Sequence, residues 1–249
     1  MSEVIQPNIH LRPDVSLVIP VHNEAQAIER VITEFYEEIG RKIPLEIIIS
    51  EDGSSDGTKE VLVELSHKIP LKLSFSDERR GYLGGAKHGL AQVTADFVLF
   101  VDSDGQYVAS DFWKMYDKRR GVDLIVGRKL KRHDPFHRVF ISGVFQQMIR
   151  AVFHLPLHHS DTGYRLMNRR VLDAVLDETQ IMEYSFWTEF SVRAFKKGFR
   201  LAEVPVTHRA RIDGSTRLYS PWKLVSTIIP KQLIAIYLLR RDLGRNQTA

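Results

Sequence analysis

Short apolar segments rich in β-branched residues alternate with longer segments of helical periodicity over the first two thirds of the chain. This alternation limits the fold more than any other feature of the sequence. Near-continuous apolar strands separated by helices are typical of a mostly parallel sheet with helices on both faces. The predicted strands are residues 15–21, 45–50, 71–76, 97–102 and 123–127, and the predicted helices are residues 24–41, 58–68 and 84–93. We therefore predict an α/β fold, with ligands bound beyond the carboxyl ends of the strands.

Composition narrows the class of protein further. The chain has 249 residues and no cysteine, so disulfides, thiolate metal sites and cysteine nucleophiles are excluded. No linker marks a second domain, and we divide the chain into an N-terminal extension (1–13), one α/β domain (14–220) and a C-terminal tail (221–249). The N-terminal residues lack the apolar core of a signal peptide, so we do not expect secretion. No run of 18 apolar residues predicts a membrane-spanning helix.

Positive charge is concentrated near the C-terminus. Net charge is +4, yet residues 193–245 contain 12 Lys and Arg against three acidic residues. Within this part, His208, Arg209, Arg211 and Arg217 follow a strand-like segment at residues 200–207. Arginine forks match phosphate oxygens in geometry, so this segment favours binding to the phosphates of a ligand or of a membrane surface. We expect no nucleic-acid partner.

Polar residues follow three of the predicted strands. Asp102, Asp104 and Gln106 come directly after the apolar run of residues 97–101, at a spacing of two. Side chains at this spacing share one side of an extended segment, and their oxygens suit a hard cation such as Mg²⁺ or Mn²⁺. Asp52 ends the second strand, where its carboxylate could accept from a nucleobase or a ribose hydroxyl. Turn formation is the competing interpretation for each segment, with Asn23 and Asp56 as candidate helix caps.

The order of these segments resembles the family 2 glycosyltransferases, and within them the polyprenyl- and dolichyl-phosphate sugar transferases. The resemblance covers about residues 14–225. It is carried by Pro20-Val21-His22-Asn23-Glu24, Glu51-Asp52-Gly53-Ser54-Ser55-Asp56-Gly57-Thr58, Arg80-Gly81-Tyr82-Leu83-Gly84-Gly85-Ala86, Asp102-Ser103-Asp104-Gly105-Gln106 and Asp161-Thr162-Gly163-Tyr164-Arg165. Two positions depart from the pattern: His22 stands where the family often has Tyr, and Arg217 stands in place of an expected Lys.

The resemblance implies a GT-A-like fold, inversion at the sugar carbon, and a donor such as GDP-mannose or UDP-glucose. It implies a nucleotide-sugar pocket formed by Pro20, Val21, Asn23, Glu24, Asp52, Asp102, Ser103 and Asp104. It implies that Asp102, Asp104 and Gln106 hold Mg²⁺ or Mn²⁺. We predict that Asp104, Asp161 and Arg211 are catalytic, and that Arg128, Arg138, Arg209, Arg211 and Arg217 bind the donor diphosphate or the acceptor phosphate.

Two amphipathic segments, residues 137–154 and 222–241, mix apolar and aromatic residues with flanking basic ones. Such helices lie in the interfacial plane of a bilayer, although packing on the core or on a dimer partner is the competing interpretation. We expect a C-terminal amphipathic helix and peripheral attachment to the cytoplasmic face of a membrane. The sequence leaves open whether the chain works with a membrane-anchoring subunit or as a homo-oligomer.

Three other functions are compatible with parts of this pattern. An inverting transferase could act on a saccharide or protein hydroxyl, with Asp161 as the general base that such an acceptor requires. A lipid-phosphate acceptor needs no base, because a phosphate monoester is already largely dianionic at neutral pH. A sugar nucleotidyltransferase should have a glycine- and lysine-rich phosphate loop, which residues 20–24 are not. A non-catalytic nucleotide or phospholipid binder is the third alternative.

Overall fold

The computed structural model describes residues 12–130, 136–211 and 224–245, without the side chains of residues 136–139, 224 and 225. A seven-stranded sheet forms its centre, with strand order β3-β2-β1-β4-β6-β5-β7. The strands are β1 (Val15–Val21), β2 (Leu45–Glu51), β3 (Leu71–Ser74), β4 (Phe97–Val101), β5 (Leu124–Lys129), β6 (Tyr164–Asn168) and β7 (Leu201–Val206). All neighbouring pairs are parallel except those that include β6. The predicted mostly parallel sheet is confirmed.

Eight α-helices surround this sheet in the described residues. They are α1 (Ile28–Phe35), α2 (Thr58–Ser66), α3 (Gly81–Leu90), α4 (Phe112–Tyr116), α5 (Phe136–Phe153), α6 (Arg169–Val175), α7 (Phe186–Lys196) and α8 (Ile229–Arg245). A π-helical turn, Tyr36–Gly40, extends α1, and a second, Leu224–Ile228, precedes α8. The predicted C-terminal helix is therefore present, and α5 covers the other predicted amphipathic segment.

Alternate residues of each strand point into two hydrophobic cores, one on each face of the sheet. Leu17 and Ile19 of β1 pack with α1, α2 and α4 on one face. Val18, between them, points to the other face and packs with α3, α5, α6, α7 and α8. Burial on both faces explains why β1 reads as a near-continuous apolar run, interrupted only by Ser16, since all seven of its residues are buried.

The reversed strand β6 brings a distant segment to the ligand-binding edge of the sheet. Its first residue, Tyr164, pairs with the last residue of β4, Val101. The amide of Asp102 donates to the carbonyl oxygen of Gly163 at 3.1 Å. The segment before β6, which contains Asp161, therefore lies beside the carboxyl end of β4.

The predicted cap at Asn23 is wrong. Helix α1 begins at Ile28, four residues later than a cap at Asn23 requires. Asn23 instead has a φ of 53°, and its side-chain oxygen accepts from the amide of Ser55 at 2.8 Å. The N-cap of α2 is Gly57 rather than Asp56, but the Asp56 carboxylate accepts from the amide of Thr58, the first residue of the helix, at 3.1 Å.

Within the described ranges, no helix combines the length and apolar character needed to cross a bilayer.

Two helical glycines offer a test of how α3 packs on the sheet. A Cβ at Gly89 would lie 2.7 Å from Cγ1 of Val18 and 3.1 Å from Cβ of Ser50. We expect Gly89→Ala to destabilise the fold by about 1–3 kcal/mol, because overpacking outweighs the gain in helix propensity. Chemical denaturation measures this free energy of unfolding.

Gly143 in α5 is the matched control, because a Cβ there meets no atom within 4 Å. Gly143→Ala should stabilise the protein by about 0.5–1 kcal/mol through helix propensity alone. Equal effects of the two substitutions would contradict the close packing of α3 against β1 and β2.

Candidate active site

One cavity of about 450 Å³ opens at the carboxyl ends of β1, β2 and β4. Its wall combines acidic, aromatic and glycine residues from both halves of the chain. The lining residues are Pro20, Val21, His22, Glu24, Asp52, Arg79, Gly81, Tyr82, Gly85, Asp102, Ser103, Asp104, Asp161, Gly163, Glu183, Tyr184, Phe186, Trp187 and Arg211. The structure thus gathers most of the residues that the sequence predicts for the nucleotide-sugar pocket.

The turn after β1 is fixed to the turn after β2 by side-chain hydrogen bonds. The amide of Asn23 donates to the hydroxyl of Ser54 at 2.9 Å, and the amide of Glu24 donates to the hydroxyl of Thr58 at 3.0 Å. Asn23 supports this turn and is absent from the described residues that line the cavity. Pro20, Val21 and Glu24 line the cavity as predicted.

Asp52 lies at the base of the cavity, where α3 begins. It is buried, and its Oδ1 accepts from the amide of Arg80 at 2.7 Å. A Cβ at Gly85 would be 3.5 Å from Cβ of Asp52, an ordinary van der Waals distance, so α3 packs directly on Asp52. The carboxylate therefore lies near the N-terminal turn of a helix, beside the polar end of β2.

Asp102 and Asp104 bring two carboxylates into the same cavity. Burial raises the pKa of Asp102 to about 7, and the nearby negative charge of Asp104 contributes, while Lys129 and Arg165 oppose the rise. Two like charges held together in this way are stabilised by a cation between them. Their hard oxygen donors fit Mg²⁺ or Mn²⁺. The described residues contain no cluster of three His, Cys, Asp or Glu arranged around one point.

Gln106 and Arg209 hold each other near this cavity. The side-chain amide of Gln106 donates to the carbonyl of Arg209 at 3.1 Å, and the amide of Arg209 donates back to the carbonyl of Gln106 at 2.7 Å. The guanidinium of Arg209 donates to Glu34 at 2.8 Å. Neither residue is among the described residues that line the cavity.

The other predicted arginines lie in different surroundings. Arg211 lines the cavity, where its guanidinium donates to the carboxylate of Glu24. Arg128 lies in β5, is exposed, and is not among the described cavity residues. Arg138 lies in α5, but its side chain is outside the described part of the structure, and Arg217 is outside the described residues altogether.

Asp161 forms part of the opposite wall of the cavity. Asp161 is exposed on the cavity surface, yet the protein atoms around it displace water and raise its pKa to about 6, although the charge of Arg165 lowers it. The guanidinium of Arg165 is fully buried and donates to the carbonyl oxygens of Thr162 at 2.6 Å and Ser160 at 3.1 Å. Because these two carbonyls flank Asp161 in sequence, Arg165 fixes the backbone on both sides of it.

Several cavity residues are not predicted as site residues from the sequence. Trp187 lies in the first turn of α7, and its ring lies 3.9 Å from the guanidinium carbon of Arg165. Glu183, Tyr184 and Phe186 come from the loop before α7 and its first turn. No spacing pattern marks this segment. Tyr82 does lie within the Arg80–Ala86 motif, which could have signalled it.

Comparison with known proteins agrees with this geometry. Residues 16–176 match the family described as Glycosyl transferase family 2. Two relatives come from Haloferax volcanii. Glycosyltransferase AglJ is 27% identical over 84% of this chain and 68% of its own length. Glycosyltransferase AglD is also 27% identical, and this chain spans only 34% of its length. Polyprenol monophosphomannose synthase from Mycolicibacterium smegmatis is 25% identical over 81% of this chain and 80% of its own.

Solved structures share the fold. Glucosyl-3-phosphoglycerate synthase from Mycobacterium tuberculosis, crystallised with Mg²⁺ and UDP, matches with a TM-score of 0.68 and 18% identity, over 92% of this chain and 79% of its own. Mannosyl-3-phosphoglycerate synthase from Rubrobacter xylanophilus matches with a TM-score of 0.65 and 13% identity, over 94% of this chain and 75% of its own. The family match spans well over half of the chain, so the chain belongs to glycosyl transferase family 2.

Proposed function

We propose that this protein transfers a hexose from a nucleotide sugar to a polyprenyl or dolichyl phosphate, with inversion at the sugar carbon and with bound Mg²⁺ or Mn²⁺. The observation that carries the proposal is the cavity in which Asp52, Asp102, Asp104 and Arg211 converge beside an exposed apolar surface. A polyprenol monophosphomannose synthase among the relatives supports the lipid-phosphate acceptor.

The donor would lie along the carboxyl ends of β1, β2 and β4. Asp52 accepts hydrogen bonds from the base or the ribose, next to the wall formed by Pro20 and Val21. Asp102 and Asp104 would hold the metal. A divalent metal, when bound, supplies the positive charge that stabilises the departing diphosphate. Glucosyl-3-phosphoglycerate synthase, which has the same fold, was crystallised with Mn²⁺ and UDP, and this supports a divalent metal bound together with the nucleotide.

The acceptor phosphate would approach from the wall that carries Asp161. Arg211 holds a phosphate oxygen at the cavity, with Glu24 orienting the guanidinium. We propose that Arg128, Arg138, Arg209 and Arg217 bind the donor diphosphate or the acceptor phosphate, and that Gln106 supports the metal-binding turn. An acceptor phosphate is largely dianionic at neutral pH, so the protein needs to align it rather than to remove a proton.

A lipid acceptor requires contact with a bilayer, and α5 and α8 present a suitable surface. Ile234 and Tyr237 of α8 are 59% and 64% exposed, and Phe140 of α5 is 62% exposed. The two helices contact each other, and Arg240 and Arg241 lie exposed on α8. An apolar stripe with flanking basic residues matches an anionic lipid surface. We infer peripheral attachment at the cytoplasmic face of a membrane.

This surface is continuous with the cavity. Gln232 of α8 donates to the hydroxyl of Ser185 at 2.5 Å, and Lys231 lies 5.5 Å from the ring centre of Tyr184. Tyr184 lines the cavity, in the loop that precedes α7. A phosphate headgroup drawn from a bilayer docked on α8 thus has a short path to the sugar carbon.

Transfer of radiolabelled sugar into an organic-extractable polyprenyl phosphate tests the reaction. GDP-mannose and UDP-glucose serve as donors, with Mg²⁺, Mn²⁺ or EDTA. We expect label in the lipid phase with one donor and either metal, and none with EDTA. Release of nucleoside diphosphate only when soluble sugars replace the lipid would contradict the proposed acceptor.

A hydroxyl-acceptor transferase is the second candidate, because Asp161 lines the cavity with its pKa raised to about 6. If Asp161 is the general base, the enzyme loses activity below pH 6, because the protonated carboxyl of Asp161 cannot accept a proton from the acceptor. A phosphate acceptor gives a similar acid limb, since its second pKa is about 6.

Asp161→Asn separates the two candidates. With a phosphate acceptor, we expect turnover to persist and the acid limb to remain, because the acceptor itself titrates. Loss of about 10²–10⁴ in kcat would instead indicate general-base catalysis on a hydroxyl.

Asp104→Asn tests the metal assignment. We expect metal-dependent turnover to fall by about a hundredfold or more, since charge stabilisation by the ion is worth several kcal/mol. Asp117→Asn, at an exposed aspartate, is the control. Equal melting temperatures would show that both variants fold. Full metal-dependent activity of Asp104→Asn would remove this residue from the metal site.

Vesicle binding tests the lipid surface. We expect Ile234→Glu to weaken binding to anionic vesicles by about tenfold or more, because it removes an apolar anchor worth about 1.5–3 kcal/mol. Val63→Glu is the control, since Val63 is 44% exposed on α2, across the sheet. Equal binding by the two variants would exclude α8 from the membrane contact.

A further inference from the structure

A chain of two hydrogen bonds crosses the cavity wall and ends on Asp102. The indole nitrogen of Trp187 donates to the hydroxyl of Tyr82 at 2.9 Å. The hydroxyl of Tyr82 donates to Oδ1 of Asp102 at 2.9 Å. The three residues come from α7, α3 and the end of β4, so the chain joins three separate elements of the fold.

The direction of this chain is fixed by its chemistry. An indole nitrogen can only donate, so the oxygen of Tyr82 must accept from Trp187. The single hydroxyl proton of Tyr82 is then left to point at Asp102. Tyr82 therefore acts as a committed donor to one carboxylate oxygen, whereas a tyrosine without the indole could turn its proton elsewhere.

Trp187, at the start of this hydrogen-bond chain, is held firmly in place. Trp187 is buried, and its ring packs on Phe100 at 4.5 Å and on Phe190 at 5.4 Å between ring centres. The Arg165 guanidinium covers the ring at 3.9 Å. Tyr82 also places its ring edge-on to Phe100, at 6.5 Å. Both rings thus rest on the side chain two residues before Asp102.

The opposite side of Asp102 is closed by backbone. A Cβ at Gly163 would lie 1.9 Å from Oδ2 of Asp102, so only glycine leaves room for this carboxylate. The amide of Asp102 also donates to the carbonyl of Gly163 at 3.1 Å. Asp102 is consequently held between Gly163 on one side and the hydroxyl of Tyr82 on the other.

We propose that Tyr82 is a positioning residue for the donor site: with Trp187 behind it, Tyr82 holds the Asp102 carboxylate in the orientation that receives the metal–nucleotide complex. The inference rests on the proposed function, because it concerns binding of the donor at the same carboxylates. It adds that donor binding depends on a residue of α7, the helix that begins at the acceptor wall.

Tyr82→Phe removes the hydroxyl and keeps the ring that packs on Phe100. We expect Mn²⁺ binding in the presence of UDP or GDP, followed by electron paramagnetic resonance, to weaken by about ten- to hundredfold, the usual effect of losing a hydrogen bond to a charged group. This readout needs no turnover. Trp187→Phe should weaken Mn²⁺ binding less than Tyr82→Phe does. The Tyr82 hydroxyl can still donate to Asp102 in this variant, but the indole no longer orients it.

Tyr116→Phe is the control, since Tyr116 lies in α4 on the other face of the sheet. Circular dichroism melts identify any variant that fails to fold. If the wild type binds metal and nucleotide, and a folded Tyr82→Phe variant binds Mn²⁺ with the same affinity, this inference is overturned and the proposed function is not. Absence of metal-dependent nucleotide binding in the wild type would overturn the proposed function, and this inference with it.

Discussion

The repulsion between Asp102 and Asp104 is the constraint on which the rest of the site depends. Both carboxylates follow a strand buried on both faces, where charge is costly to place. Asp104 is one cause of the raised pKa of Asp102. The surrounding structure counters this with the fully buried cation of Arg165 and with the hydroxyl of Tyr82. In the proposed function, the negative charge that remains attracts a cation and the phosphates that accompany one.

The reversed strand β6 links the two ends of the proposed reaction. Because β6 runs antiparallel to β4, Arg165 lies opposite Phe100 in the sheet. Its guanidinium can then hold the carbonyls around Asp161 and cover Trp187 at the same time. One residue thus fixes the wall that carries Asp161 and the tryptophan at the start of the hydrogen-bond chain to Asp102. If β6 ran parallel to β4 instead, the residues that precede β6, including Asp161, would lie at the amino ends of the strands, away from Asp102.

Short sequence patterns predict those elements whose structure depends mainly on neighbouring residues. Strand β1 matches its predicted bounds because every residue is apolar or small and both faces are buried. Strand β6 was not predicted, since Arg165 interrupts its apolar run and its burial depends on distant partners. Asn23 was wrongly predicted as a cap because its oxygen bonds a turn 32 residues away. The contact of Gln106 with Arg209 spans 103 residues, beyond any spacing rule.

We propose that the cavity at the ends of β1, β2 and β4 binds a nucleoside diphosphate through a divalent metal held by Asp102 and Asp104. Anomalous diffraction at the manganese edge, from crystals grown with Mn²⁺ and UDP or GDP, tests it most directly. We expect one strong peak within coordination distance of Asp104, next to the diphosphate. A nucleotide bound without metal at these carboxylates, or a peak only at another site, would contradict it.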